Sequence, residues 1–481
     1  MAMVSVSYES RPFQSLSMRN IVATKHLFRL LGLALYLLFS LTACASLPDI
    51  HYIKASIEPA PVPTIVDPKG GSLPDAQARS LLKRRLGDDA ARMKEFAAME
   101  EAATGRPLVI GNKVGLLIDG PRTMSAMMKA IEAATDHINL ETYIFDQDEV
   151  GLKFAELLKA KQRQGVQVNV IYDSVGTLGT PAEFFGSMRD AGIRLLEFNP
   201  VNPLKRFGSW RLNNRDHRKI LIVDGKIAFT GGINISKEYS SSSLSSARHR
   251  PREPGWRDTH IQVEGPAVAG LQALFLDTWV RQKGVKLEDR NYFPPLKEEG
   301  SEILRIISTH PDGDYSVFKA YALAMQQAQE TIHLTVAYFV PDQQIIDSLT
   351  EAARRGVDVR IIFPSVTDHG LVFHAGRSFY QELLAAGVRI YELQESVLHA
   401  KTAVIDSMWS TVGSANLDMR SFLHNTEVNV VVLSPRFGKV MEEAFQVDLR
   451  NSREVTREEW EQRPFSSKLK EWLARSFGYW L

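Results

Sequence analysis

Hydrophobic and polar positions along this chain alternate between short apolar runs, typical of buried strands, and longer amphipathic stretches, typical of helices. The same order of an apolar run, a helical stretch and a second apolar run occurs twice, from Ile138 through 151–164 to 168–172 and from Ile332 through 343–355 to 359–363. Alternating strands and helices predict an α/β fold in which helices cover each sheet.

The duplication extends beyond these segments. Each helical stretch runs into a Gly-Val pair, at Gly165 and at Gly356, and an Ala-Gly-Ile-Arg sequence from Ala191 has its counterpart from Ala386. The repeat of about 190 residues is too long for a solenoid unit. It predicts two fused homologous domains, each a mixed sheet flanked by helices, with the active site at their interface.

The predicted segments are a signal peptide over 1–43, a lipidated Cys, tether and helical arm over 44–104, the two domains over 105–295 and 296–455, and an amphipathic tail over 456–481.

One short motif occurs once in each half. Both copies read H-x-K-x-x-x-x-D and continue with a Gly and an Asn at the same offsets. Five residues at fixed offsets should arise by chance on the order of once in several thousand chains of this length, despite the usual risk of false motif matches. The residues are His217, Lys219, Asp224, Gly231 and Asn234 in the first copy, and His399, Lys401, Asp406, Gly413 and Asn416 in the second.

Two His and two Lys brought face to face suit chemistry on a phosphodiester. One His can attack phosphorus and form a covalent intermediate. The other can protonate the leaving oxygen, since the unperturbed pKa of imidazole, about 6.5, makes either protonation state accessible. The lysines can neutralise the phosphate oxygens, and Asn234, Asn416 and Ser414 can act as neutral donors. The first copy has Gly232 where the second has Ser414, so the two half-sites differ.

These residues resemble the phospholipase D superfamily and, within it, the short B-type bacterial cardiolipin synthases. The resemblance covers about 114–449. It is strongest in four segments: Leu140-Glu141-Thr142-Tyr143-Ile144-Phe145, Asp216-His217-Arg218-Lys219, Gly255-Trp256-Arg257-Asp258-Thr259-His260, and 413–421 with its sequel Asn425-Thr426-Glu427.

The resemblance implies a phosphohistidine mechanism with an acid downstream of each motif that orients a His. The matching acids are Asp258 and Glu427. It favours His217 as the nucleophile and His399 as the acid and base, although spacing alone leaves this open. Asp224 and Asp406 belong to the two motifs and are included among the candidate catalytic residues. Each lies at the end of an apolar run, however, which favours a structural role at the end of a strand.

The predicted reaction is transfer of a phosphatidyl group that makes cardiolipin from phosphatidylglycerol and a second phospholipid, with phosphatidylethanolamine as an alternative donor. Hydrolysis to phosphatidic acid by a phospholipase D is the alternative, since the same residues serve both reactions. A nuclease is less favoured, because 57 basic and 56 acidic residues give a net charge of +1, whereas nucleic-acid-binding domains are usually basic. A non-enzymatic scaffold has no need of two intact motifs. Phosphohistidine chemistry requires no metal or cofactor.

The N-terminus carries an apolar run over 30–42, preceded by basic residues and ending at Cys44, the only cysteine. Its length fits a signal-peptide core and is short for a membrane span. The pattern resembles a bacterial lipobox, so we expect Cys44 to be lipidated in the cell envelope, at the outer membrane or the periplasmic face of the inner membrane. An uncleaved short anchor is the alternative.

Two further segments could contact lipid. The basic stretch over 205–218 contains Phe207 and Trp210, and it fits either a lip over lipid headgroups or a solvated loop. The C-terminus has the spacing of an amphipathic helix, with Phe465, Leu469 and Trp472 among basic residues. Such a helix suits a membrane interface, although packing on the domain is the slightly favoured alternative.

Overall fold

The computed structural model describes residues 46–202, 211–240 and 255–481. The predicted signal peptide, Cys44 and positions 205–210 of the basic stretch before the first motif, with Phe207 and Trp210, lie outside these ranges. The α-helices are α1 Ile50–Ser56, α2 Asp75–Leu86, α3 Ala90–Thr104, α4 Gly120–Ala133, α5 Glu149–Arg163, α6 Ala182–Asp190, α7 Val268–Arg281, α8 Ser316–Gln327, α9 Gln343–Arg354, α10 Gly370–Arg377, α11 Tyr380–Ala385, α12 Met419–Leu423, α13 Pro435–Arg450, α14 Arg457–Glu461 and α15 Phe465–Arg475. The strands are β1 Ile65–Val66, β2 Leu108–Leu117, β3 His137–Thr142, β4 Gln167–Asp173, β5 Arg194–Phe198, β6 Arg215–Asp216, β7 Ile220–Val223, β8 Ile227–Gly231, β9 Trp256–Arg257, β10 His260–Glu264, β11 Glu302–His310, β12 Asp314–Tyr315, β13 Thr331–Val336, β14 Phe339–Val340, β15 Asp358–Val366, β16 Arg389–Leu398, β17 Lys401–Ile405, β18 Trp409–Gly413, β19 Leu417–Asp418, β20 Asn425–Leu433 and β21 Ser452–Val455.

The two halves contain sheets of the same topology. In the first, β5, β4 and β3 are parallel, and β7, β8, β10 and β2 continue the sheet in antiparallel steps. In the second, β16, β15 and β13 are parallel, and β17, β18, β20 and β11 follow in antiparallel steps. The predicted duplication and the mixed α/β fold are confirmed.

Matching signals at the helix ends explain why the two halves fold alike locally. The carboxylate of Asp148 caps α5 by accepting from the backbone N–H of Val150, and Asp342 caps α9 in the same way. Both helices end just before a glycine in the left-handed region, Gly165 with φ +90° and Gly356 with φ +94°. In each half, the chain then enters the next buried strand.

The sheets meet through their last strands, where β2 of the first half pairs antiparallel with β11 of the second. Buried apolar side chains of both sheets share one core between them, including Ile222 and Val263 from the first half and Val404 and Val430 from the second. Two short strands also cross the boundary: β6 pairs in parallel with β20, and β9 pairs in parallel with the end of β16.

The charged, Ala-rich part of the arm before the first sheet is helical. The structure has two helices, α2 and α3, separated by a 3₁₀ turn over Gly87–Asp89, where Gly87 has φ +60°. In the described ranges, no helix combines the length and the apolar character needed to cross a bilayer.

Candidate active site

The two motif histidines lie where the halves meet. The backbone N–H of His217 donates to the carbonyl of Thr426 in β20, and the N–H of His399 donates to the carbonyl of Arg257 in β9. Each His therefore directly extends one of the short parallel strand pairs that cross the boundary. Both side chains are largely buried, with exposed fractions of 8 % for His217 and 5 % for His399.

Each His pairs with the acid of the opposite half. Nδ1 of His217 lies 3.0 and 3.1 Å from the two carboxylate oxygens of Glu427. Nδ1 of His399 lies 2.8 Å from Oδ2 of Asp258. Because the carboxylates engage Nδ1, Nε2 of each ring is the nitrogen left to react. The sequence had placed an acid after each motif, but only the fold reveals that the pairs are crossed.

The motif lysines are held above tyrosine rings. Nζ of Lys219 lies 5.2 Å from the ring centroid of Tyr143, and Nζ of Lys401 lies 5.8 Å from that of Tyr338. Each ammonium also donates to the carbonyl of the His in its own motif. Tyr143 and Tyr338 follow the equivalent strands β3 and β13, so each half contributes one Lys over one aromatic ring, an arrangement that favours a cation.

Burial sets the protonation of the site. It lowers the pKa of His217 well below the usual value, and the charges of Lys219 and Lys401 lower it further. Burial likewise lowers the pKa of His399 and of Lys401, and lowers that of Lys219 to about 7. Buried groups with such shifts, gathered in one place, are typical of catalytic sites.

The two acids have opposite shifts. Burial raises the pKa of Glu427 to about 7. Burial also acts to raise the pKa of Asp258, but the nearby His399 and Lys401 outweigh it and lower that pKa below its ordinary value. Asp258 therefore stays ionised to a lower pH than Glu427, and of the two histidines His399 is better placed to carry a positive charge.

The difference between Gly232 in the first motif copy and Ser414 in the second has a structural reason. A Cβ atom on Gly232 would lie 2.2 Å from Oδ1 of Asp258, so only glycine leaves room for that carboxylate. At the equivalent position, the hydroxyl of Ser414 donates to Oε2 of Glu427 at 2.5 Å. The hydroxyl of Ser414 is therefore engaged by an acid, and its role as a donor to phosphate stays a prediction.

We expect Gly232→Ala to push the Asp258 carboxylate away from His399 and to lower kcat by at least about 100-fold, since a misplacement near 1 Å can cost that much. The measurement is steady-state turnover of a phospholipid, with circular dichroism to check folding. Gly186→Ala is the matched control, because a Cβ there meets nothing within 4 Å. Unchanged turnover in Gly232→Ala would contradict the assigned packing.

The motif asparagines are placed differently from each other. The amide of Asn234 is engaged on both sides, since its Oδ1 accepts from the N–H of Ile144 and its Nδ2 donates to the hydroxyl of Tyr239. That hydroxyl lies 3.3 Å from Nδ1 of His399, so Asn234 acts through Tyr239. Oδ1 of Asn416 has no hydrogen-bond partner within the described part of the chain.

The motif aspartates lie just beyond the far ends of β7 and β17, about 16 Å from the lysines at roughly 3.3 Å per residue. Asp224 accepts from the backbone N–H groups of Thr135, Asp136 and His137, which begin β3. Asp406 accepts from the equivalent N–H groups before β13 and pairs with Arg92. They bind backbone and do not contact the histidines.

Several residues of the site were not anticipated from the sequence. They are Tyr143 and Tyr338 under the lysines, Tyr239 and Trp256 beside His399, and the buried Arg218 between the motif His and Lys. Arg218 donates to the carbonyl of Glu427 and so ties the first motif to the acid strand of the second half. Aligning the two halves would have offered a signal for Tyr143 and Tyr338, which follow equivalent strands.

Comparison with known proteins identifies relatives of this chain. The family model described as cardiolipin synthase, PLD-like domain, matches residues 127–245 and 321–449. The cardiolipin synthase of Geobacillus kaustophilus (strain HTA426) is 36 % identical over 372 residues, covering 77 % of this chain and 72 % of that protein. The cardiolipin synthase of Halalkalibacterium halodurans is 34 % identical over 374 residues, with the same coverage of each chain.

The chain belongs to the phospholipase D-like cardiolipin synthase family. The crystal structure of phosphatidylserine synthase from Haemophilus influenzae Rd KW20 has the same fold, with a TM-score of 0.57, 14 % identity, and coverage of 76 % of this chain and 92 % of that one. The predicted family is confirmed, and this family member is a phospholipid-modifying enzyme of the phosphatidyltransferase type.

Across residues 46–202, 211–240 and 255–481, no group of three or more His, Cys, Asp or Glu side chains is arranged to hold a metal ion. In the site itself, the carboxylates of Asp258 and Glu427 are engaged by histidines.

Proposed function

We propose that this enzyme makes cardiolipin by transferring a phosphatidyl group to phosphatidylglycerol through a covalent phosphohistidine. The observation that carries the proposal is the crossed arrangement of two His–carboxylate pairs, with both Nε2 atoms left to react and two buried ammonium groups beside them. A phosphodiester needs a nucleophile, an acid and neutralisation of its negative charge, and these groups supply all three.

In the first step, Nε2 of His217 attacks phosphorus and the bond to the headgroup oxygen breaks. The imidazolium of His399 gives its proton to that oxygen, and the alcohol leaves. In the second step, His399 takes the proton of an acceptor hydroxyl, which attacks phosphorus and releases His217. Lys219 and Lys401 hold the non-bridging oxygens throughout.

The assignment of His217 as nucleophile is supported by the two acids. His217 must be neutral to attack, and its partner Glu427 has a pKa raised by burial to about 7, which makes it a weak anion. His399 must begin as a cation; burial lowers its pKa, and the ionised Asp258 beside it acts in the opposite direction. A firm anion beside His399 favours the imidazolium there.

The acceptor decides the product. Phosphatidylglycerol offers a primary hydroxyl and gives cardiolipin, whereas water gives phosphatidic acid, so hydrolysis is the alternative reaction of the same site. Either phosphatidylglycerol or phosphatidylethanolamine can serve as donor by this chemistry. The resemblance of residues up to Cys44 to a lipobox supports attachment to the cell envelope as a lipoprotein.

The test is a lipid assay of the purified full chain in mixed micelles of phosphatidylglycerol and phosphatidylethanolamine, with products identified by mass spectrometry. We expect cardiolipin as the main product and the released alcohol in equal amount. The identity of that alcohol shows which phospholipid is the donor. Phosphatidic acid alone would make the enzyme a phospholipase D, and no lipid turnover would overturn the proposal.

We also expect kcat/KM to be highest near pH 7. Above about pH 7, Lys219 loses its proton because its pKa is lowered to about 7, and the phosphate loses a cationic partner. Below about pH 7, Glu427 gains a proton because its pKa is raised to about 7, and it no longer orients His217 as an anion. The measurement is kcat/KM on a short-chain lipid from about pH 5.5 to 9.

The control for this pH profile is Glu427→Gln, in which the decline on the acid side should disappear together with much of the activity. A wild-type profile that stays flat across the range would show that neither Lys219 nor Glu427 titrates in the active enzyme.

A further inference from the structure

The C-terminal helix α15 is amphipathic, but it is packed with its apolar stripe outward. The side that faces the domain carries Glu471 and Ala474, which are buried, and Glu471 pairs with Arg463. The opposite side carries four large apolar side chains spaced at helical intervals. They form what we term the C-terminal stripe: Phe465, Leu469, Trp472 and Leu473, exposed by 79, 44, 66 and 49 %.

Other exposed apolar side chains lie at the loops that surround the site. Helix α15 packs against α10, where Leu371 is exposed, and Val366 at the end of β15 is exposed as well. In the first half, the loop after the equivalent strand β4 exposes Leu178. These loops follow the carboxyl ends of the parallel strands, the same edge from which Tyr143 and Tyr338 reach the lysines.

The C-terminal segment that carries the stripe lies next to elements that border the active site. Leu481, beyond the end of α15, accepts from the backbone N–H of Arg420 in α12, which begins three residues after Asn416. The hydroxyl of Tyr338 donates to Asp368 at 2.7 to 2.8 Å, just before α10. Tyr338 lies beside Lys401 and His399, and α15 packs on α10, so the C-terminal segment contacts elements that border the active site.

The exposed charges of helix α15 itself have one sign. Lys468, Lys470 and Arg475 are exposed, while the single carboxylate of the helix, Glu471, is buried and paired with Arg463. A helix that has an exposed apolar stripe bordered by cations, and exposes no carboxylate of its own, has the pattern of a helix lying in the interface of an anionic membrane.

We propose that the C-terminal stripe docks this enzyme on the surface of an anionic phospholipid bilayer and so brings the loops around the active site to the headgroups. The proposal rests on the proposed function, because only a lipid substrate gives the docked orientation a purpose. A second copy of the chain fits less well, since a two-fold contact between such stripes would bring lysines and arginines together.

The direct test uses the full chain with Cys44→Ser, so that one introduced cysteine can carry an environment-sensitive fluorophore. We expect a label at Leu473→Cys to shift to shorter wavelength with vesicles containing phosphatidylglycerol, and to shift less with phosphatidylcholine alone. A label at Val280→Cys, an exposed site on α7, should not shift. No shift at Leu473→Cys overturns the proposal. A shift that occurs without lipid and rises with protein concentration would also overturn it, and would show that the stripe binds a second copy of the chain.

A second experiment separates docking from chemistry. The double variant Phe465→Ser/Trp472→Ser should turn over lipid in anionic vesicles at least about tenfold more slowly, because it loses the burial of two large apolar side chains. It should keep wild-type activity on a short-chain phosphatidylglycerol below its micellar concentration. Leu152→Ser/Val280→Ser is the matched control, with two exposed apolar residues removed elsewhere.

Equal loss on vesicles and on the monomeric lipid would overturn docking and make the stripe part of the folded site. If wild type turned over neither lipid while the label at Leu473→Cys still shifted, the proposed function would fail and membrane docking would stand by itself.

Discussion

Replacing His217 with alanine is expected to lower turnover by about 10⁴-fold or more, because no other group takes over a nucleophile that forms a covalent intermediate. Replacing His399 with alanine should cost about 10² to 10⁴-fold, the usual contribution of a positioned acid and base. The sharper distinction is the intermediate itself. With a donor that carries a nitrophenol leaving group, His399→Ala should still form the phosphatidyl-enzyme, since that group departs without a proton.

Mass spectrometry of the intact protein measures this adduct directly. We expect it in His399→Ala and not in His217→Ala, while the exposed His51→Ala behaves as wild type. The opposite pattern, with the adduct retained in His217→Ala, would exchange the roles of the two histidines. No adduct in any active variant would contradict covalent catalysis.

Replacing Arg257 with methionine is expected to destabilise the enzyme by about 3 to 5 kcal/mol, the cost of breaking a buried ion pair and leaving one charge uncompensated. The guanidinium of Arg257 makes two bonds to the carboxylate of Asp448, at 2.7 and 2.8 Å, and both side chains are almost completely buried. The pair joins β9 of the first half to α13 of the second, beside the acid Asp258.

Urea-induced unfolding, followed by circular dichroism, checks this prediction. The matched control is Arg389→Met, which breaks the half-exposed pair with Glu454 and should cost no more than about 1 kcal/mol. The double variant Arg257→Met/Asp448→Leu should recover much of the loss, since no charge is left unpaired. Equal costs for Arg257→Met and Arg389→Met would contradict the structural role of the buried pair.

The crossed acids explain why the two halves form one site. Each half supplies a His and a Lys, yet the carboxylate that orients each His comes from the other half. Neither half by itself has a complete His–carboxylate pair. The strand pairings of β6 with β20 and of β9 with β16 fix this exchange in the backbone, so the geometry is set before any substrate binds.

The sequence by itself determined the features that depend on neighbours along the chain. The alternation of strands and helices, the duplication and the two motifs could all be predicted, because periodicity, helix caps and glycine stops act over a few residues. The helical arm before the first sheet follows the same local rules, since a turn at Gly87, with φ +60°, separates its two helices.

Only the tertiary structure decided which groups meet across the chain. Glu427 reaches His217 over a separation of 210 residues and Asp258 reaches His399 over 141, and neither pairing leaves a local signal. The same holds for the tyrosines beneath the lysines and for the side of α15 that faces solvent. Helical spacing reveals that α15 has an apolar stripe, but only the packing of Glu471 and Ala474 against the domain turns that stripe outward.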